Sequence, residues 1–353
     1  MERNRKMPEQ PTCAVIGAGA WGTTLARMLA LQGREVRLWA RRPELAREIR
    51  TTHENATYLP GFVLPDTVTV GADLDGVLAG AGAVIIAVPS VGLREVAAQM
   101  AGKVPAEALI ICATKGLERR TGKRMSELLA EELGPPEPTA LVALSGPNLS
   151  KEIAEGLPAT SVVASADRLV AERAQQLLGH DLFRVYTNCD IIGVELGGAL
   201  KNIIAVGAGL SDGLGYGGNA RASLITRGLA EICRLGRAMG AMPATFWGIA
   251  GVGDLIVTCN STLSRNWNLG YRVGKGEQVA DVLGSMHDVA EGYYTTHAAQ
   301  QMAAELAIEA PITQAVYEIL YQDGKPAEIA RRLMSRRERA EHEAWYGPEA
   351  EQW

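Results

Sequence analysis

Residues 13–42 read CAVIGAGAWGTTLARMLALQGREVRLWARR, and the fold turns on how this stretch is read. A short apolar run, Cys13 to Ile16, leads into glycines, and apolar residues then recur at helical spacing, among them Leu25, Met28 and Leu29. A second apolar run, EVRLW, closes it. The predicted order is strand, loop, helix, strand. Gly17, Gly19 and Gly22 make GxGxxG: the first glycine permits the tight turn, the second lets backbone approach a pyrophosphate, and the third lets helix pack on strand. A lone match is weak, but the flanking strand and helix supply its context. Ala20 and Trp21 lie at the start of that helix, where N–H groups and the dipole favour an anion. The stretch therefore predicts a dinucleotide cradle.

The end of the second strand bears on which dinucleotide. An NAD site typically offers Asp or Glu there, whereas this chain has Ala40, Arg41 and Arg42, and Glu44 lies too far past Pro43 to replace the acid. Arginine suits a 2′-phosphate, so NADP is preferred and NAD stays open; two solvated loop arginines are the alternative. AVIIAVPS, ALIICATKG and VALSGP each run apolar into a small polar turn, as parallel strands do where their carboxyl ends meet a ligand. Lys115 sits at such an edge, and so do Ser145 and Gly146; the plain alternative for Lys115 is a loop lysine. VVAS and FRVYTN suggest further strands.

After about Asp190 the alternation gives way to long helical patterns. The expected fold is α/β, with an N-terminal Rossmann-like doubly wound sheet followed by an all-α C-terminal domain. The expected division is a polar tail over 1–11, a dinucleotide-binding domain over 12–191, a helical substrate domain over 192–335 and a charged tail over 336–353. At 353 residues two domains are the natural count. Within GGALKN, Lys201 and Asn202 stand side by side among Leu200, Ile203 and Ile204. A surface lysine is the plain reading, yet a cation on a close-packed helix should face a partner or a cleft. Partly desolvated, or beside a cation such as Lys115, it could exchange a proton near neutral pH. Asp254, Ser264, Arg265 and Asn266 add a cation and small polar groups suited to a phosphate dianion, the alternative being a capped loop before an exposed helix. Glu291 has no function derivable from its neighbours.

Composition narrows the class. With 47% hydrophobic residues, 21% charged and a net charge of −5, the chain suggests neither disorder nor a nucleic-acid-coating surface, and the expected partner is small. Cys13, Cys112, Cys189, Cys233 and Cys259 are odd in number and scattered, and read as reduced core thiols; no cluster has metal-ligand spacing, so no metal is expected. No signal peptide is read at the start and no later run is read as long and apolar enough to span a bilayer, so a cytoplasmic location is expected. His53 and His287 read as loop residues.

Together GAGAWGTTLA, NATYLPG, ATKGLE, SGPNLSKEIA, GVELGGALKNIIAVGAGLSDGLGYGGNARASLITRGLAE, GVGDLIVTCNSTLSRN, VAEGYYTT and APITQAVYEILY resemble the bacterial-type NAD(P)-dependent glycerol-3-phosphate dehydrogenases, over about residues 12 to 321. The resemblance implies reversible reduction of dihydroxyacetone phosphate to sn-glycerol 3-phosphate by NAD(P)H, feeding glycerophospholipid synthesis. It implies that Lys201 donates and accepts the proton and that Lys115 touches cofactor and substrate. Gly146, Asn148, Asp254, Ser264, Arg265 and Asn266 match substrate contacts. Gly17, Gly19, Ala20, Trp21, Gly22, Arg41, Arg42, Tyr58, Lys115, Ser150, Arg265, Val289 and Glu291 fall at cofactor positions. Thr114-Lys115-Gly116 replaces the family's usual SKG, and Asn148-Leu149-Ser150 replaces smaller or aromatic residues, which bears on the contact at Asn148. The rival readings are another hydroxyacid or opine-type dehydrogenase, and a non-catalytic NADP sensor. Apolar helices in the second half could bury a homodimer face.

Overall fold

The computed structural model describes residues 11–134, 140–286, 289–338 and 341; His287, residues 1–10 of the polar tail and most of the charged C-terminal tail lie outside them. The chain forms two compact units. One comprises the residues through Thr114, Met125–Leu144 and Asn148–Cys189; the other comprises Lys115–Arg124, Ser145–Pro147 and the residues from Asp190 onward. Two short pieces of the first half thus belong to the second unit.

Among the described residues, the first unit is built on eight strands: β1 (Cys13–Ile16), β2 (Val36–Trp39), β3 (Val68–Gly71), β4 (Ala83–Ile86), β5 (Leu109–Cys112), β6 (Leu141–Ser145), β7 (Ala159–Ala164) and β8 (Phe183–Asn188). Their order is β3-β2-β1-β4-β5-β6-β7-β8. Parallel pairing joins β3 to β2, β2 to β1, β1 to β4, β4 to β5, β5 to β6 and β7 to β8. Strand order reverses between β1 and β4, the switch point at which open α/β sheets bind ligands. Side chains alternate across a strand, so Cys13 and Val15 enter one hydrophobic cluster while Ala14 and Ile16 enter another on the opposite face. The first cluster packs beneath the helices Ala20–Leu31, Pro43–Thr52 and Arg168–Leu178, the second beneath Leu74–Leu78, Ser90–Met100 and Met125–Leu133. Burial on both faces is why these strands read as continuous apolar runs.

β3 was not among the expected strands. Its four residues, VTVG, alternate buried and exposed positions at the sheet edge and make no apolar run of the kind that marked β1, β4 and β5; β8, the alternating strand at the other edge, is longer and was read from FRVYTN. Among the cysteines, Cys13, Cys112, Cys233 and Cys259 are buried, but Cys189 is exposed, which corrects the reading of all five as core thiols. His53 ends the Pro43–Thr52 helix in a left-handed conformation.

The second unit is helical around one apolar core. Its axis is the helix Ile191–Gly213, capped by Asp190, whose Oδ1 accepts from Gly193 N at 2.8 Å. This helix is 23 residues long with a mean hydropathy of 1.5 over its most apolar window, so one run does have the length and composition to cross a bilayer, contrary to expectation. That window is 83% buried by neighbouring parts of the protein, as befits a core helix. Small residues allow its close packing. A Cβ on Gly209 would lie 2.0 Å from Trp267 O, and one on Gly270 2.0 Å from Val206 O, so the helix Arg265–Gly274 meets it backbone to backbone.

Candidate active site

In the nucleotide unit the three glycines have three different surroundings. Gly17 has φ +116°, and a Cβ there would stand 2.8 Å from Ala87 O, just beyond β4. A Cβ on Gly22 would stand 1.9 Å from Gly17 O. Sterics thus require both as glycine. Around a Cβ on Gly19, by contrast, there is nothing within 4 Å. The open position is the one through which a pyrophosphate approaches backbone, beside the start of the helix Ala20–Leu31, which has no side-chain cap. Trp21 in that first turn has a buried Nε1 without a protein partner. This turn fits a dinucleotide.

Asn55, which reasoning from motifs passed over, holds the turn in shape. Fully buried, it donates through Nδ2 to Ala18 O at 2.9 Å and to Thr23 Oγ1 at 2.8 Å, while its Oδ1 accepts from Tyr58 N at 3.2 Å. One side chain therefore ties the glycine turn to the segment bearing Tyr58. Arg41 and Arg42 are exposed just past β2, and Arg42 donates to Tyr58 OH at 3.3 Å with its guanidinium 5.8 Å from the ring centre. Ser150 opens the short helix Ser150–Ala154, and its carbonyl accepts from Thr24 Oγ1 at 3.2 Å. Asn148 donates to Ser161 Oγ at 3.1 Å, leaving a buried Oδ1 without a partner.

In the helical unit a carboxylate gathers two lysines. Asp254, 1% exposed, follows a π-helical turn, Ile249–Gly253, and begins the helix Asp254–Asn260. Its Oδ2 accepts from Lys115 Nζ at 2.7 Å, and its Oδ1 accepts from Lys201 Nζ. Lys115 also donates to Gly146 O at 2.8 Å, and Lys201 to Thr258 Oγ1 at 2.6 Å. The glycines preceding Lys201 make room: a Cβ on Gly197 would meet Ala250 O at 2.8 Å, and one on Gly198 would meet Ser145 Oγ at 2.4 Å. Glycine at these positions brings the helix against both the Asp254 turn and the Ser145–Pro147 segment.

Lys201 is 5% exposed. Burial lowers its pKa, Asp254 opposes that, and the Lys115 cation lowers it further, leaving it at about 8. The ammonium can thereby give up a proton, and the amine take one back, close to neutral pH. Cys259, the residue after Thr258 on the same helix, is pushed up to about 12 by burial and stays a neutral thiol. Thr258 is a further polar group of this cluster; as a lone threonine inside GVGDLIVTC it carried no signal beyond its spacing of four residues from Asp254.

Asn202 turns to different partners. Its Oδ1 accepts from Asn266 Nδ2 at 2.9 Å, and Asn266 Oδ1 accepts from Gly292 N at 2.8 Å, which links three helices through buried amides. Ser264 caps the helix Arg265–Gly274, accepting from Trp267 N at 3.2 Å. Arg265 is exposed at that helix start and donates to Val289 O at 3.4 Å; Glu291 begins the helix Glu291–Glu305. Among the described residues no group of three or more His, Cys, Asp and Glu side chains is arranged to hold a metal.

Comparison with known proteins gives a consistent result. Residues 12–171 match the family model described as the NAD-dependent glycerol-3-phosphate dehydrogenase N-terminus, and residues 190–331 match that of the C-terminus. A glycerol-3-phosphate dehydrogenase [NAD(P)+] of Geobacillus kaustophilus is 50% identical over 330 residues, covering 93% of this chain and 95% of its own. One from Citrifermentans bemidjiense is 47% identical over 328 residues, covering 93% and 98%. The crystal structure of glycerol-3-phosphate dehydrogenase from Coxiella burnetii superposes with a TM-score of 0.90 at 38% identity, over 93% of this chain and 100% of that one.

Proposed function

This chain belongs to the NAD-dependent glycerol-3-phosphate dehydrogenase family, and from that premise we propose that it reduces dihydroxyacetone phosphate reversibly to sn-glycerol 3-phosphate with Lys201 as proton donor and acceptor. The observation that carries this reading is the Lys115–Asp254–Lys201 cluster, a buried cation held near neutrality beside a second cation. A nicotinamide coenzyme supplies the hydride. Gly17, Gly19, Ala20, Trp21 and Gly22 hold its pyrophosphate, with Tyr58, Lys115, Ser150, Arg265, Val289 and Glu291 as the further coenzyme positions. Arg41 and Arg42 take a 2′-phosphate, which makes NADPH the preferred form.

Ser264, Arg265 and Asn266 hold the substrate phosphate at a helix N-terminus, where backbone N–H groups and the dipole favour an anion. Gly146 and Asn148 complete the substrate contacts. Binding energy from this non-reacting end orients the carbonyl carbon. Asp254 and Thr258 fix Lys201 so that its proton passes to the developing alkoxide, and Lys115 stabilises the same oxygen's charge. Lysine supplies what a metal would otherwise supply. The product is a backbone for glycerophospholipids, made in the cytoplasm by a homodimer.

The test follows reduced-nicotinamide absorbance with dihydroxyacetone phosphate and, in parallel, unphosphorylated dihydroxyacetone and a 2-oxo acid. Turnover that requires the phosphate is expected; turnover of the 2-oxo acid alone would replace this reading by a hydroxyacid dehydrogenase.

A further inference from the structure

We propose that the buried ion pair between Arg124 and Glu195 is the positioning device that holds Lys115 on Asp254; this deepens the function proposed above and rests on it. Arg124 Nη1 donates to Glu195 Oε2 at 2.6 Å, and both side chains are buried within the helical unit. Lys115 and Arg124 are the two ends of one short hairpin. Glu118 N donates to Lys123 O at 2.9 Å, and Leu117 pairs with Arg124 as an antiparallel bridge. Arg124 therefore lies directly across from a residue only two positions beyond Lys115.

The hairpin is fastened to the helices at other points as well. Leu117 is 1% exposed in the helical core, and the Arg119 guanidinium lies 6.0 Å from the Tyr321 ring centre. Between Lys115 and Leu117 stands Gly116 with φ +148°, a backbone turn that residues with a side chain rarely adopt, so the path from Leu117 back to Lys115 runs through this one conformation. Glu195 is on the same helix as Lys201, one turn before Gly198, against which Lys115 Cδ packs at 3.6 Å from a built Cβ. One rigid helix thus fixes both lysines: Lys201 directly, and Lys115 through Glu195, Arg124 and the hairpin.

A buried ion pair contributes little net stability compared with an apolar pair of similar volume. What it supplies is direction and register, since a guanidinium and a carboxylate bond only over a narrow range of geometry. Loss of the pair frees Lys115 from Asp254, and the effect reaches Lys201, which faces Asp254, Thr258 and Cys259 on one helix and Lys115 on the hairpin. With the second cation gone and Asp254 undivided, Lys201 titrates higher.

The experiment compares wild type, Glu195→Gln, Arg124→Lys and the double variant Arg124→Met/Glu195→Leu, which removes both charges of the pair together. Three quantities are read: kcat with dihydroxyacetone phosphate, Kd for NADPH, and the titration of Lys201 by competitive acetylation with peptide mass spectrometry. Glu195→Gln and the double variant should lose on the order of 10- to 100-fold in kcat, the scale of a misplacement of about 1 Å, with Kd for NADPH unchanged. Their Lys201 midpoint should rise above the wild-type value. Arg124→Lys, which keeps the charge, should fall between them and wild type. A folded double variant with wild-type kcat and Lys201 midpoint would overturn the proposal, as would activity losses that only follow the folded fraction. Because acetylation needs no turnover, a wild type inactive on dihydroxyacetone phosphate whose variants still shift Lys201 would count against the substrate reading and not against the positioning pair.

Discussion

Lys201 and Asn202 are adjacent in sequence and point to unrelated tasks, one to Asp254 and Thr258, the other to Asn266. Consecutive helical residues are about 100° apart around the axis, so neighbours serve different faces. In the proposed reaction Lys201 is protonated to donate during reduction and neutral to accept during oxidation. With its pKa at about 8, the reduction rate should be flat below that pH and fall about tenfold per unit above it, while oxidation rises through the same window. Steady-state kcat against pH in both directions checks this; two profiles bending the same way would contradict it. The need for a partner was legible from the apolar neighbours of Lys201. That the partner is Asp254, 53 residues away, was not, because only folding brings the π-helical turn against Gly197.

At the scale of elements, the close crossing of Ile191–Gly213 with Arg265–Gly274 sets where Lys201 and Ser264 stand. Gly209→Ala places a Cβ 2.0 Å from Trp267 O and 2.7 Å from Tyr271 N, both of them backbone, so the two helices must separate. Alanine gains about 1 kcal/mol in helix propensity, whereas forced overpacking costs about 1–3 kcal/mol or more. The clash should win: thermal unfolding should show a lower Tm for Gly209→Ala, and an unchanged or raised Tm would mean that the crossing relaxes freely. The inner strands of the sheet were readable because burial on both faces leaves apolar runs; β3 escaped because its four residues alternate buried and exposed, whereas the alternating edge strand β8 runs to six residues rich in aromatic and β-branched side chains. The role of Asn55 was equally hidden. A buried amide that bridges turns 32 and 37 residues away has no local pattern to announce it.

For the whole molecule, one unit presents a glycine turn open at Gly19 and two arginines past β2, and the other a buried lysine on a carboxylate and a capped cationic helix start. Each charge-assisted hydrogen bond to a phosphate is worth about 1.5–3 kcal/mol, so Arg41→Ala/Arg42→Ala should raise KM for NADPH on the order of tenfold or more and leave KM for NADH nearly unchanged. Equal changes for both coenzymes would remove these arginines from the 2′-phosphate. The interleaving of Lys115–Arg124 and Ser145–Pro147 with the helical unit was not visible in a linear reading, which sees only where strands give way to helices near Asp190. The central claim is that Lys201 moves the proton, and the most direct test is Lys201→Met, measured for kcat with dihydroxyacetone phosphate and for NADPH affinity on the same folded protein. The account predicts a kcat lowered by ~10² to 10⁴-fold with coenzyme affinity retained. A folded Lys201→Met that kept most of its wild-type turnover would contradict it.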